Sequence, residues 1–148
     1  MDKRLTHLLH QLKGKTYPDS MRKKFYPYAE EALVVMFASI KNGEFRDTQI
    51  KNSLNIMFDL TKEACPAKRK ELFDIAVECC GHVSPEVRSS ASNVVIGLTR
   101  MYENYPDLYD VGVKLREDVF PVLKKVLDMG AIGRQQMEYI EDFIAKKF

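Results

Sequence analysis

A chain of 148 residues, 45% hydrophobic and 30% charged, has the balance of one folded domain with a real core, and this excludes a disordered protein. The formal net charge of +2 does not by itself call for a nucleic-acid partner, and no apolar run reaches the roughly 18 residues that span a bilayer. Cys65, Cys79 and Cys80 are an odd set that excludes a secreted disulfide framework, and polar Thr6, His7, His10 and Gln11 interrupt what would be a signal-peptide core, so the expected location is cytoplasmic.

Leu5, Leu8, Leu9 and Leu12 recur at helical spacing and predict an amphipathic helix over about residues 3–13, ended by Gly14. A second helical region follows the linker 15–20 and is broken or restarted at Pro27. The run YAEEALVVMFASIK, residues 28–41, reads as a largely buried helix that Asn42-Gly43 terminates. The next helix, about Arg46 to Ala64, turns Ile50, Leu54, Met57, Phe58 and Thr61 towards the core. Pro66 opens a helix whose inner face is Leu72, Ile75, Ala76 and Cys79.

The junction Gly81-His82-Val83-Ser84-Pro85-Glu86-Val87-Arg88 follows. Gly81 is expected to stop one helix at positive φ, Ser84 to cap the next, and Pro85 to occupy its first position, where a missing N–H costs nothing. The second helix presents Val87, Ala91, Val94, Val95, Leu98 and Met101 inwards and closes at residues 104–107. A helix from about Asp107 to Asp128 contains Pro121, which predicts a kink or break near Val119. After the corner 129–133, a last helix from about Arg134 to Lys147 carries Met137, Ile140, Ile144 and Phe148 on one face. No alternating strand pattern competes.

From residue 28 onwards the order is helix–corner–helix three times, over 28–64, 67–104 and 108–147, and the second helices overlay. Ser53-Leu54-Asn55-Ile56-Met57-Phe58-Asp59-Leu60-Thr61-Lys62 sets against Ala91-Ser92-Asn93-Val94-Val95-Ile96-Gly97-Leu98-Thr99-Arg100, with Asn, Leu and Thr coincident; Tyr139-Ile140 and Ile144-Ala145-Lys146 extend the match weakly into the third unit. Ser84-Pro85-Glu86-Val87-Arg88 followed by Ala91 resembles the corner and second helix of a HEAT repeat, related to armadillo repeats, over about residues 68–102. Phe45-Arg46-Asp47-Thr48 and Ile132-Gly133-Arg134 replace that corner in the flanking units. The resemblance implies one all-α domain over 1–148: a short right-handed α-solenoid of about three antiparallel helix pairs, with residues 1–27 as an N-terminal helical cap. It also implies a protein or nucleic-acid partner on the inner face and no catalysis. An irregular helical bundle is the alternative.

In a stack of such units the second helices line the concave face. The partner-binding residues expected there are Asn55, Asp59 and Lys62, then Ser89, Asn93 and Arg100, then Tyr139, Phe143 and Lys146. Lys51, Asn52, Ser90, Gly97, Gln135 and Gln136 share the same non-core stripes. Stacking gives a polar row of Asn55, Asn93 and Tyr139, and a basic row of Lys62, Arg100 and Lys146, with Tyr139 and Phe143 as aromatic anchors. The bland reading is that the small residues seat the N-terminal helix and Phe143 caps the core.

Residues 13–28 interleave Lys13, Lys15, Arg22, Lys23 and Lys24 with Tyr17, Phe25, Tyr26 and Tyr28, a composition that can hold phosphates and stack bases but also suits a solvated face over core aromatics. Residues 102–110 are acidic and aromatic, which suits a basic protein partner or a capped helix start. His7 with His10, and Cys79-Cys80 with His82, do not complete a metal set, and no nucleotide, hydrolase or metalloprotease motif is present. The expected protein is a non-enzymatic interaction module without cofactor or membrane span: an adaptor or inhibitor, of which an immunity protein neutralising a toxin is one form. The alternative is a nucleic-acid-binding repeat protein that uses the basic N-terminal segment.

Overall fold

Apolar residues three and four apart must bury one stripe of each helix, and the chain satisfies this with helices alone. The computed structural model describes residues 1–14, 19–108 and 115–146, and among these every regular element is helical. The helices are α1 (Lys3–Gln11), α2 (Asp19–Arg22), α3 (Ala29–Lys41), α4 (Asp47–Glu63), α5 (Arg69–Cys79), α6 (Pro85–Asn104), α7 (Arg116–Met129) and α8 (Arg134–Ala145). Short 3-10 turns cover Lys23–Tyr28, Pro66–Lys68 and Pro106–Leu108.

Helices α3 and α4, α5 and α6, and α7 and α8 pack as pairs. Helices α4 and α8 both pack on α6, which also touches α5 and α7. Of its 20 residues, Val87, Ala91, Val94, Val95, Ile96 and Leu98 are buried, and so are Arg88, Ser90, Ser92 and Thr99. The hydroxyls of Ser92 and Thr99 are satisfied locally, Ser92 Oγ donating to Ser89 O (2.7 Å) and Thr99 Oγ1 to Val95 O (2.8 Å).

Several local expectations change. Gly81 does not take positive φ; among the described residues the glycines at positive φ are Gly43, Gly130 and Gly133. Helix α5 instead winds down through i→i+3 bonds, Gly81 N to Glu78 O and His82 N to Cys79 O, both 3.1 Å, so no left-handed residue is needed. Ser84 stands at the N-cap in extended conformation, but its side chain makes no capping bond, and Pro85 fills the first helical position as expected. The helix expected from Asp107 begins at Arg116, and α7 runs on through Pro121 without a break. Pro121 is the sixth residue of α7, past the first turn, and the helix continues with one i→i−4 bond, that to the Glu117 carbonyl, unmade. Asn52, expected on the open stripe, is buried: its Nδ2 donates to Leu12 O (2.7 Å) and Gly14 O (3.0 Å), which ties the end of α1 to α4. Leu5, Leu8, Leu9 and Leu12 are then all buried.

Three buried arginines hold helix ends together. Arg69 Nη2 donates to Lys62 O (2.9 Å) in the last turn of α4. Arg88 donates to His82 O and Val83 O (both 2.9 Å) and to Gly130 O (2.8 Å), joining the α5–α6 corner to the α7–α8 corner. Arg116 forks onto Glu103 (2.9 and 2.8 Å), donates to Phe143 O near the end of α8, and lies 3.9 Å above the Phe143 ring. A cation at a helix C-terminus offsets the negative end of the dipole and occupies carbonyls that have no partner within the helix.

Arg88→Met keeps much of the volume but leaves those carbonyls without their donor, and should lower stability by about 3 kcal/mol. The exposed Arg134–Glu138 pair is the control, and Arg134→Ala should leave stability unchanged within error. Urea unfolding measures both.

Candidate functional site

At Gly97 helix α6 lies close against Phe58 of α4. A Cβ at that position would stand 2.9 Å from two ring atoms of Phe58 on α4, closer than a side chain tolerates. Beside this contact lies a cavity of about 350 Å³ lined by Arg22, Asn55, Phe58, Asp59, Asn93, Val94, Gly97, Arg100 and Tyr139. Five of the nine expected partner-binding residues therefore meet here: Asn55, Asp59, Asn93, Arg100 and Tyr139. The polar row across α4, α6 and α8 is assembled.

Arg100 is the strongest feature of this cleft. Its guanidinium is 5.1 Å from the centre of the Tyr139 ring and 5.6 Å from that of Phe143, and Nη1 donates to the Tyr139 hydroxyl (3.1 Å). Two aromatic rings and one hydrogen bond hold the group in place. Among the described residues Arg100 makes no ion pair. Asn93 is oriented by Gln136, whose Nε2 donates to Asn93 Oδ1 and to Ser92 Oγ, both 2.8 Å. Asp59 is already paired, with Arg22 Nη1 at 3.2 Å from Oδ2, so that carboxylate is not an open acid.

The remaining expected residues lie elsewhere. Phe143 is fully buried between Arg100 and Arg116, which corrects its assignment as an exposed anchor: its ring is the platform on which two guanidinium groups lie. Ser89 is half-buried, and its carbonyl accepts from Ser92 Oγ and Gln136 Nε2. Lys62 is exposed near the end of α4, outside the cavity. Lys146 lies past the end of α8 in extended conformation, beside Glu103 and Glu117 at a different cavity. The basic row is thus not assembled, because a helical stripe cannot be extrapolated beyond the helix. Arg22 and Phe58 belong to the cleft although neither was expected there. Phe58 reads as a core residue, and nothing in the repeat places Arg22 beside α4.

The flanking segments are partly spent on structure. Phe25 is buried, Tyr26 and Tyr28 are half-buried against the core, and Arg22 faces Asp59; Lys13, Lys23 and Lys24 are exposed. The Tyr26 hydroxyl is held above its ordinary pKa by burial and then by its hydrogen bond with Glu63. Glu103 is committed to Arg116, while Tyr105 stays exposed. Lys15, Tyr17, Tyr109, Asp110 and Phe148 lie outside the described residues.

The thiols are poor nucleophiles. Burial pushes Cys79 up to about 11 and Cys80 up to about 12, and burial followed by Glu30 raises Cys65. His82 Nδ1 accepts from Ser84 N (3.0 Å), and Nε2 lies 3.8 Å from Asp47. Among the described residues no group of three or more His, Cys, Asp or Glu side chains could hold a metal ion, and no helix is long and apolar enough to cross a membrane. No family model matches the chain, and neither the curated proteins nor the solved structures contain a significant match.

Two outcomes test this geometry. Replacing an unobstructed helical glycine by alanine gains about 1 kcal/mol. Gly97→Ala should forfeit that gain and recover it in a Phe58→Leu background, giving a coupling of about 1 kcal/mol in a double-mutant cycle. For the thiols, a disulfide reagent at about pH 8 should label Cys65 first, and Cys79 and Cys80 only after denaturant is added. Because the native pKa values of Cys79 and Cys80 exceed the free value of 9.0, the folded state retains protons that the unfolded chain releases. Their contribution to stability is complete below about pH 9 and declines as pH rises from there through about 11 for Cys79 and about 12 for Cys80, which denaturant midpoints measured as pH is raised from 9 would show.

Proposed function

We propose that this chain is a non-enzymatic protein-binding module, a short solenoid of three helix pairs with an N-terminal cap, which receives a segment of one partner protein along α4, α6 and α8. The packing of both α4 and α8 on α6, with each paired to the helix before it, supports the solenoid reading, as does the HEAT-like corner at Pro85–Arg88. The observation that carries the function is Arg100: a half-buried cation, held against two aromatic rings and without a carboxylate partner among the described residues, opens into a cleft with Asn93 and Asn55. Such a group is orientated before binding and loses little freedom when a partner's acceptor reaches it. Stacked arginines and tyrosines are the residue types that dominate interface energies. A polar and aromatic cleft of this kind suits an adaptor or an inhibitor.

Quantitative affinity capture from the source cells tests this. A bound protein should be depleted at least tenfold, roughly 1.4 kcal/mol, by Arg100→Gln and by Asn93→Arg, but not by Lys124→Glu on the exposed face of α7. Thermal melts confirm that each variant is folded. If capture is indifferent to Arg100 and Asn93, or if DNA retention that falls steeply with salt follows Lys23 and Lys24 instead, the reading is wrong.

A further inference from the structure

A second cavity, of about 570 Å³, lies between α1 and the 3-10 turn Lys23–Tyr28. Its origin is in the pattern of α1. The leucine stripe faces the core, so Lys3, His7 and Gln11, four residues apart, form a separate stripe along the cavity. Leu8, Pro27 and Tyr28 supply its apolar floor. Lys3, Arg4 and Lys24 supply three cations at its edge, and among the described residues no carboxylate lines it. None of the three makes an ion pair with a described residue. The carboxylate of Asp2 is engaged at the start of α1, where Oδ1 accepts from Arg4 N (2.7 Å). In a chain of net charge +2, three cations around an apolar floor without an acid are an unbalanced concentration of charge.

We infer that this cavity is a binding site for a small amphiphile with an anionic head, a medium-chain fatty acid. The hydrocarbon lies over Leu8, Pro27 and Tyr28, and the carboxylate faces Lys24 and Arg4. The volume is that of a small-ligand site, within the usual range of about 300–1,000 Å³. The chemistry of the lining matches such a ligand at both ends: apolar area buries the chain, and unpaired cations meet the head. An acidic amphipathic helix fits less well, because it needs a row of apolar contacts over two turns or more, and here three apolar residues are bounded by charge. The site is separate from the cleft at Arg100 and stands whether or not that cleft binds a protein.

Decanoate and decan-1-ol, which share an apolar chain and differ in head charge, separate the possibilities. Each is titrated into the full chain, together with a helical Glu/Leu peptide, by calorimetry and by amide chemical shifts. Decanoate should bind saturably, shift signals in residues 3–11 and 24–28, and lose affinity as salt rises. Decan-1-ol should bind about tenfold more weakly. Lys24→Glu, an exposed change, should weaken decanoate about tenfold while Lys24→Arg preserves it, and Arg4→Glu gives an independent check. Equal binding of the alcohol, indifference to both charge reversals, shifts confined to other helices, or saturable binding of the peptide alone would each overturn the inference.

Discussion

The close contact between Phe58 on α4 and Gly97 on α6 sets the spacing on which the candidate surface depends. A Cβ at Gly97 would stand 2.9 Å from the Phe58 ring, so glycine is what lets α6 take that ring at this distance. Beside this contact lies the cavity lined by Asn55, Asp59, Asn93, Arg100 and Tyr139. The glycine costs helix propensity; what is gained is a helix pair close enough to share one polar row.

Position along the helices is controlled separately. Arg69, Arg88 and Arg116 each reach from one element to carbonyls at the end of another. Their long side chains span the corners, and their planar donors fix direction as well as distance. Arg88 connects consecutive corners, while Arg116 joins α7 to Glu103 of α6 and to Phe143 of α8. The Phe143 ring beneath both Arg116 and Arg100 then links the frame to the cleft.

Much of the helix order was legible because the residues that decide it act locally. Leucines three and four apart marked α1, Pro66 and Pro85 marked helix starts, and the alignment of Asn55 with Asn93 anticipated a row that α4 and α6 do form. What stayed hidden depends on contacts between distant segments. Asn52 looks like an open polar position until Leu12 and Gly14 bring their carbonyls to it. Phe143 looks like an anchor until two arginines from other helices cover it. Arg22 enters the cleft only because the N-terminal segment folds back onto Asp59. Lys146 failed for a simpler reason, since α8 ends at Ala145 and the helical spacing ends with it.

The cleft between α4, α6 and α8 is the central claim, and proximity inside cells tests it most directly. A photo-crosslinking phenylalanine analogue placed at Asn55, which lines the cleft, should capture a discrete protein adduct on irradiation. The same analogue at Asp128, exposed on α7, should give none. Adducts from position 128 with none from position 55 would place the interaction on the other face and contradict the assignment.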